Sequence, residues 1–399
     1  MVEKNEQLLD VPGVRLGVAA AGIKRPGRPD LLLIEACEGT RCAAVFTRNA
    51  FCAAPVLVAR NHLAKSPLWL IINSGNANAG TGARGIEDAL STCSLLADQV
   101  STTPDRVLPF STGVIGEYLP VHRIQDALPE AVASLRDSGW EAAAQAIMTT
   151  DTRPKMASRT LDVGSQRVVI TGIAKGSGMI HPDMATMLAF LATDAEIEQA
   201  DLQSLLQRVT DRSFNCITVD GDTSTNDACV LLASSKSARL KPGTEDFERF
   251  EAVVLSVCLD LAEAIVRDGE GATKFIRVLV EGALDLEEAR CVAKTIAHSP
   301  LVKTAFFASD PNWGRILAAV GRAGCKDLEI GRVGIWLDAV QIVESGERCR
   351  TYSEEAGARV MAQDEIQIRV ALGRGQASET VMTCDFSYDY VRINAEYRT

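Results

Sequence analysis

Two hydrophobic periods share this chain. Apolar runs of strand length fill 31–34, 68–72, 168–174 and 187–192; 366–370 alternates strictly, and 381–386 follows it as a further strand. Elsewhere the period lengthens to that of a helix. Ile86, Ala89, Leu90, Cys93, Leu96, Ala97 and Val100 mark one amphipathic helix after a glycine-rich loop, and 196–209 and 245–267 read as two more. Pro129 fits the first turn of an alanine-rich segment, which Ser138-Gly139 separates from a helix reaching Met148. Asp310-Pro311 predicts a helix start, with Asp310 as N-cap and Pro311 in the first helical position. Strands and helices in alternation, without a repeat or low-complexity segment, predict an α/β chain with sheets buried between helices.

Length and composition then narrow the functional classes. The 399 residues suffice for two domains or one large unit, and 47% hydrophobic residues exclude a disordered chain. A formal charge of −11 argues against a nucleic-acid partner, which requires a basic face. Residues 1–10 are charged and lack the apolar core of a signal, and no run of eighteen apolar residues occurs. A cytoplasmic protein with no membrane association is therefore expected. The 11 cysteines, scattered from Cys37 to Cys384 without a C-x-x-C pair, predict reduced and mostly buried thiols rather than a disulfide framework or a metal site.

The densest chemistry lies in Lys175-Gly-Ser-Gly-Met-Ile-His-Pro-Asp-Met-Ala-Thr-Met187. A β-hydroxyl after a small residue can attack its own preceding carbonyl. An N→O acyl shift and hydrolysis would leave Thr186 as a new N-terminus, carrying nucleophile (Oγ) and base (α-amine) on one residue. The pair Ala185-Thr186 by itself also fits an ordinary strand or helix start. His181, one of 4 histidines, is the alternative base. The loop 111–116 has the composition to aim N–H groups and a hydroxyl at one point, although a simple turn is its first reading. Glu270, between glycines in Asp268-Gly-Glu-Gly, suits an ammonium group. The stretch 220–227 starts like a calcium loop, but Thr225 stands where glycine is required and Leu231 where glutamate is, so it reads as a structural turn.

These blocks resemble those of the ornithine acetyltransferases, the self-processing glutamate N-acetyltransferases of arginine biosynthesis. The likeness runs through Ala20-Ala-Gly-Ile-Lys24, Asn73-Ser-Gly-Asn-Ala-Asn-Ala79, Ser111-Thr-Gly-Val-Ile-Gly116, Met148-Thr-Thr-Asp-Thr152 and Ser213-Phe-Asn-Cys-Ile-Thr-Val-Asp-Gly-Asp222. It continues through Asp268-Gly-Glu-Gly-Ala-Thr-Lys274, Ser309-Asp-Pro-Asn-Trp-Gly-Arg315 and the tail Ile393-Asn-Ala-Glu-Tyr-Arg-Thr399. It implies a four-layer α-β-β-α sandwich of the ornithine acetyltransferase/DmpA-like type. It also implies cleavage between Ala185 and Thr186 into an alpha fragment, 1–185, and a beta fragment, 186–399, that stay associated as an α2β2 heterotetramer. By the same resemblance Thr186 is the nucleophile, while Thr112 (side chain) and Gly113 (backbone) form the oxyanion hole. Thr149, Lys175, Thr186, Glu270, Asn394 and Thr399 bind substrate, with Lys175 a partner for a carboxylate and the tail folded back over the pocket. His181 and Gly80 depart from the family's pattern, Gly80 standing where a cysteine is common.

The expected reaction moves an acetyl group from N2-acetyl-L-ornithine to L-glutamate through an acetyl ester on Thr186. It needs no cofactor, and some family members also accept acetyl-CoA as first donor. The rival expectation is an N-terminal-nucleophile amidase or aminopeptidase on a related sandwich, with water as acceptor; a non-catalytic binding module is the third.

Overall fold

A computed structural model describes residues 8–23, 25–181 and 187–396. The chain divides into two compact units, Met1–Asn215 with Asp222–Ile265, and Cys216–Gly221 with Val266–Thr399.

The first unit is built on two sheets. One has the order β1-β2-β4-β5, from β1 (Val14–Ala19), β2 (Leu31–Ala36), β4 (Trp69–Asn76) and β5 (Val107–Val114), antiparallel except for the parallel pair β4–β5. The other has the order β3-β9-β8-β7-β6, from β3 (Arg41–Phe46), β6 (Lys155–Val163), β7 (Gln166–Lys175), β8 (Leu188–Thr193) and β9 (Ala228–Ala233), with only β8–β9 parallel. Facing side chains of the two sheets share one core: Leu32, Ile34, Leu70, Ile72 and Phe110 meet Ile173, Leu188, Phe190, Val230 and Leu232. Phe110 and Phe190 touch edge to face across it, with ring centroids 5.2 Å apart. α4 (Trp140–Ala146) adds Trp140, Ala143 and Ala144 to the same core.

Helices cover the outer faces. α2 (Gly82–Gln99) and α3 (Val121–Ala133) lay Ala89, Cys93, Leu96, Ile124 and Leu128 on Leu31, Leu33, Ile71 and Val107. α1 (Ala54–His62) packs Val58 into that cluster. On the second sheet, α5 (Gln199–Asp211) bonds β3 through Gln203, and α6 (Glu245–Arg267) brings Leu261 over Gly172. This α-β-β-α order is the sandwich that the resemblance implies. It is confined to the first unit, and the 185/186 junction falls inside that unit rather than at its border.

The second unit has two layers. Its sheet has the order β13-β12-β11-β14-β10-β15, from β10 (Phe275–Ala283), β11 (Gly334–Leu337), β12 (Val340–Glu344), β13 (Glu347–Arg348), β14 (Glu365–Ala371) and β15 (Ala377–Cys384). The alternation in 366–370 is met as expected: Ile366, Ile368 and Val370 enter the core, while Arg369 on the other face pairs with Glu281 at 2.9 Å. α7 (Leu286–Ala297), α8 (Pro300–Phe307), α9 (Trp313–Gly321) and α10 (Glu354–Met361) cover the core face, and α11 (Tyr388–Ala395) follows β15.

The helix expected over 245–267 is α6 residue for residue, but two helix starts differ from expectation. Pro129 lies inside α3, not in a first turn, because Ile124, Ala127, Leu128 and Ala131 form one buried stripe through it. Burial of that stripe offsets the roughly 3 kcal/mol cost of an interior proline. The N-cap of α9 is Asn312 rather than Asp310: its side chain accepts from the Arg315 N–H at 3.2 Å, and Asp310 in turn accepts from the Asn312 amide at 3.0 Å.

α3 crosses β1 where Gly17 leaves no side chain. A Cβ there would stand 2.2 Å from the Ala131 carbonyl oxygen, which is backbone and cannot swing away. Gly17→Ala is expected to lower stability by about 1–3 kcal/mol, the scale of overpacking, as a shift in the urea midpoint. An unchanged midpoint would contradict this packing.

Candidate active site

The ends of β4 and β5 come unusually close. Their parallel register sets Ser74 against Thr112 and Gly75 against Gly113. Gly113 has φ +135, and a Cβ on it would lie 2.3 Å from the Gly75 carbonyl carbon and 2.6 Å from the Asn76 nitrogen. Only glycine takes both that backbone and that approach. Buried amides lock the neighbourhood. Ser111 Oγ donates to Asn73 Oδ1 at 2.6 Å, Asn73 Nδ2 donates to the Asn76 carbonyl at 2.9 Å, and Asn226 Nδ2 donates to the Ala77 and Ser111 carbonyls at 2.6 and 2.9 Å. The loop that sequence alone would read as a simple turn is thus a fixed strand end with every amide engaged.

Lys175 ends β7, and its Nζ donates to Thr112 Oγ1 at 3.1 Å. Accepting from an ammonium turns the threonine's own hydrogen away from the lysine, leaving the hydroxyl able to donate elsewhere. Behind them sits Asp151, whose side chain is fully buried. Oδ1 accepts from Lys155 Nζ at 2.5 Å and from the Gly176 N–H at 2.7 Å, and Oδ2 accepts from the Thr149 N–H at 2.9 Å. Burial pushes this carboxyl up, but the charges of Lys175 and Lys155 with the donated hydrogen bonds outweigh it and bring the pKa down to about 2. Asp151 thereby ties Thr149 to the residue after Lys175.

Among the residues expected to act, the structure brings Thr112, Gly113, Lys175 and the backbone of Thr149 into this one cluster. Ala185, Thr186 and Thr399 lie outside the described residues. Met187 and Leu188, which follow Thr186 in sequence, are buried, and Leu188 pairs with Lys175 across β7–β8. His181 is in a loop, where its carbonyl accepts from Thr223 Oγ1 at 3.3 Å.

A second cluster lies in the second unit. Glu270 is buried and accepts from Asn394 Nδ2 at 2.7 Å, while the same amide donates to the Tyr390 carbonyl at 3.0 Å. α11 lies directly on the loop that carries Glu270. Ser387, its N-cap, donates to the Gly271 carbonyl at 2.6 Å, and a Cβ on Gly271 would stand 2.6 Å from the Tyr390 nitrogen. The tail is therefore docked on that loop as far as residue 396. The ring of Tyr390 stacks on Phe386 at 4.6 Å, and Phe386 lies 4.5 Å under Lys303 Nζ. Lys303 is fully buried and donates to Thr383 Oγ1 at 2.8 Å and to the Cys384 carbonyl; burial pushes its pKa down.

Sequence reasoning missed Asp151, Asn226, Asp227 and Lys303. Asp151 stood inside a quoted motif, and Asn226 and Asp227 ended a stretch read as a structural turn. Lys303 had a weak signal, as the one charge in the apolar α8. All 11 cysteines are free and 7 are buried, and burial pushes Cys42, Cys93 and Cys258 up to about 12. No cluster among the described residues could hold a metal ion, and no described helix is long and apolar enough to cross a membrane.

Because the folded-state pKa of Asp151 lies below its ordinary 3.8, its contribution is complete above that value and is lost as pH falls toward about 2. Asp151→Asn removes the carboxylate charge that Lys155 pairs with and is expected to cost about 3–5 kcal/mol in urea unfolding at neutral pH. The deficit relative to wild type should shrink as the pH falls through this window; a pH-independent deficit would refute the assignment.

The chain was compared with known proteins. Residues 15–399 match the model of the ArgJ family. Two proteins called arginine biosynthesis bifunctional protein ArgJ align along nearly their whole length. That of Methylococcus capsulatus is 66% identical over 395 residues, covering 98% of this chain and 97% of the relative. That of Pseudomonas fluorescens is 52% identical over 392 residues, with the same coverage. A crystal structure of the bifunctional protein from Bacillus halodurans shares 42% identity over 51% of this chain and 96% of that one, with a TM-score of 0.49. A family match over nearly the whole sequence, with relatives of this identity and coverage, establishes that the chain belongs to the ArgJ family.

Proposed function

We propose that this chain cuts itself between Ala185 and Thr186 and then carries an acetyl group on the Thr186 hydroxyl from N2-acetyl-L-ornithine to L-glutamate. Membership of the ArgJ family makes it an enzyme of arginine biosynthesis, an acyltransferase acting on small molecules. The observation that carries the site assignment is the Lys175–Thr112 hydrogen bond, because it joins a cation and a polarised hydroxyl at the Gly113 strand end. Thr186 is two residues from Leu188, the partner of Lys175 in the sheet.

In the first half-reaction Thr186 Oγ attacks the acetyl carbonyl carbon, its proton passing to the α-amine. The tetrahedral oxygen takes up negative charge, which this reading assigns to the Thr112 hydroxyl and the Gly113 N–H to stabilise. The C–N bond then breaks, and ornithine leaves with that proton. In the second, the glutamate amine attacks the ester, the C–O bond breaks and Thr186 regains its hydrogen. Lys175 holds the carboxylate that both substrates carry. The buried Glu270 carboxylate, with Asn394 on one oxygen, suits a substrate ammonium. Thr149 and Thr399 complete the substrate-binding set by resemblance. Acetyl-CoA as an additional first donor, an α2β2 assembly and a cytoplasmic location belong to the same reading.

The second sheet of the first unit supports association after the cut. Its order alternates between fragments: β3 from the first, β9 and β8 from the second, β7 and β6 from the first. Intact-mass measurement of active enzyme is expected to give 1–185 and 186–399, co-purifying without denaturant, and Thr186→Ala a single inactive chain. A full-length active chain would sink the proposal. Thr112→Ala is expected to lower kcat for acetyl transfer by about 10²–10³, the usual effect of losing one oxyanion donor, with a smaller change in KM. The same assay, run with and without glutamate, identifies the acceptor: fast acetate release without glutamate would make the enzyme a hydrolase.

A further inference from the structure

Glu270 stands between glycines, whose backbone is pliable, so its aim depends on what grips the loop around it. The turn itself is closed by the Ala272 N–H, which donates to the Gly269 carbonyl at 2.9 Å. The rest of the grip comes from one short stretch of chain. Asp385 is fully buried at the loop's exit. Its Oδ1 accepts from the Thr273 and Lys274 N–H groups, both at 2.8 Å, and its Oδ2 accepts from the Thr273 hydroxyl at 2.5 Å. Ser387 holds the loop one step earlier, through the Gly271 carbonyl, and Asn394 meets Glu270 itself.

Asp385 and Ser387 both face the loop, while Phe386 between them turns to Lys303 and Tyr390, the period-two alternation of an extended chain. Lys303 fixes both neighbours of Asp385. Its Nζ donates to the Cys384 carbonyl, and its own carbonyl accepts from the Phe386 N–H at 3.3 Å. On the loop's side, Lys274 Nζ donates to the carbonyls of Met361 and Gln363 at 2.8 and 3.1 Å. Asp385 is thus anchored before it grips, and so is the residue it grips.

N2-Acetyl-L-ornithine carries a single ammonium, at the far end of its side chain, because its α-nitrogen is acylated. A carboxylate selects for that group only if it is held within hydrogen-bonding distance and angle, which weaken steeply with misplacement. We propose that Asp385 and Ser387 are positioning residues that determine donor specificity: they touch no substrate, but hold the Glu270 loop so that the enzyme prefers an acetyl donor with a distal ammonium. The inference rests on the reading that Glu270 binds the substrate ammonium.

The test is a ratio of kcat/KM values for two acetyl donors, measured on the cleaved enzyme with glutamate as acceptor. One donor is N2-acetyl-L-ornithine; the other is N2-acetyl-L-norvaline, which has the same carbon chain without the distal amine. Wild type is expected to favour acetylornithine. Glu270→Gln should lower the ratio by about ten- to hundredfold, the worth of a hydrogen bond to a charged group. Asp385→Ala should lower it by about tenfold and Ser387→Ala by about threefold, chiefly through KM for acetylornithine. Asp385→Asn, whose Oδ1 can still accept from both N–H groups, should recover most of the ratio lost in Asp385→Ala. If Asp385→Ala does not fold, Ser387→Ala and Thr273→Val, each removing one bond, carry the comparison. An unchanged ratio in Glu270→Gln would refute the ammonium reading itself. A ratio that falls in Glu270→Gln but not in the Asp385 and Ser387 variants, or activity that falls by the same factor with both donors, would leave that reading intact and overturn the role of Asp385 and Ser387.

Discussion

The Asp151 carboxylate accepts hydrogen bonds from three directions, and the placement of Thr149, Lys175 and the chain leaving β7 follows from it. A buried ion pair is a poor source of net stability, because desolvating two charges offsets most of their attraction. Its value here is geometric. Lys175 and Lys155 supply the opposing charge, while two backbone N–H groups donate to the same carboxylate, so it has one orientation and the segments bonded to it have one spacing. Lys175 is thereby delivered to the end of β5, where Thr112 and Gly113 are held by a separate set of amides. Two rigid elements from different sheets meet at a 3.1 Å hydrogen bond.

The second unit reaches a similar end by other means. Glu270 lies in a glycine-flanked loop that could swing, and α11 prevents this by packing directly against it. The helix is itself positioned through a stack of Lys303 over Phe386 and Phe386 on Tyr390. A lysine buried without a direct carboxylate partner is costly. It is tolerated because hydroxyl, carbonyl and aromatic face share its charge, with the charges of Asp385 and Asp220 also favouring it.

Much of this was legible in the sequence. Strands with strict period two, such as 366–370, and the long amphipathic helix over 245–267 appeared where the pattern placed them, since one-sided burial imposes those periods. Local signals failed where tertiary burial overrode them: Pro129 is carried inside α3 by the apolar stripe around it, and Asn312 rather than Asp310 caps α9. In the two clusters, Thr112, Gly113, Lys175 and Glu270 were named from motif likeness. Asp151 and Lys303 were missed for a physical reason: only folding buries Asp151 against the Gly176 N–H and Lys303 against Thr383 and the Cys384 carbonyl.

The strand order β3-β9-β8-β7-β6 carries one more consequence. While the chain is continuous, β8 folds against β7 as a local hairpin pair, and the unit can assemble from a single molecule. A cut between 185 and 186 turns the same sheet into a two-component object, whose strands alternate in origin. Folding is then no longer unimolecular, and recovery after unfolding depends on two fragments meeting in dilute solution. The mature protein would persist by the slowness of its unfolding rather than by its capacity to refold. Processing would make the fold a one-way product of its own precursor.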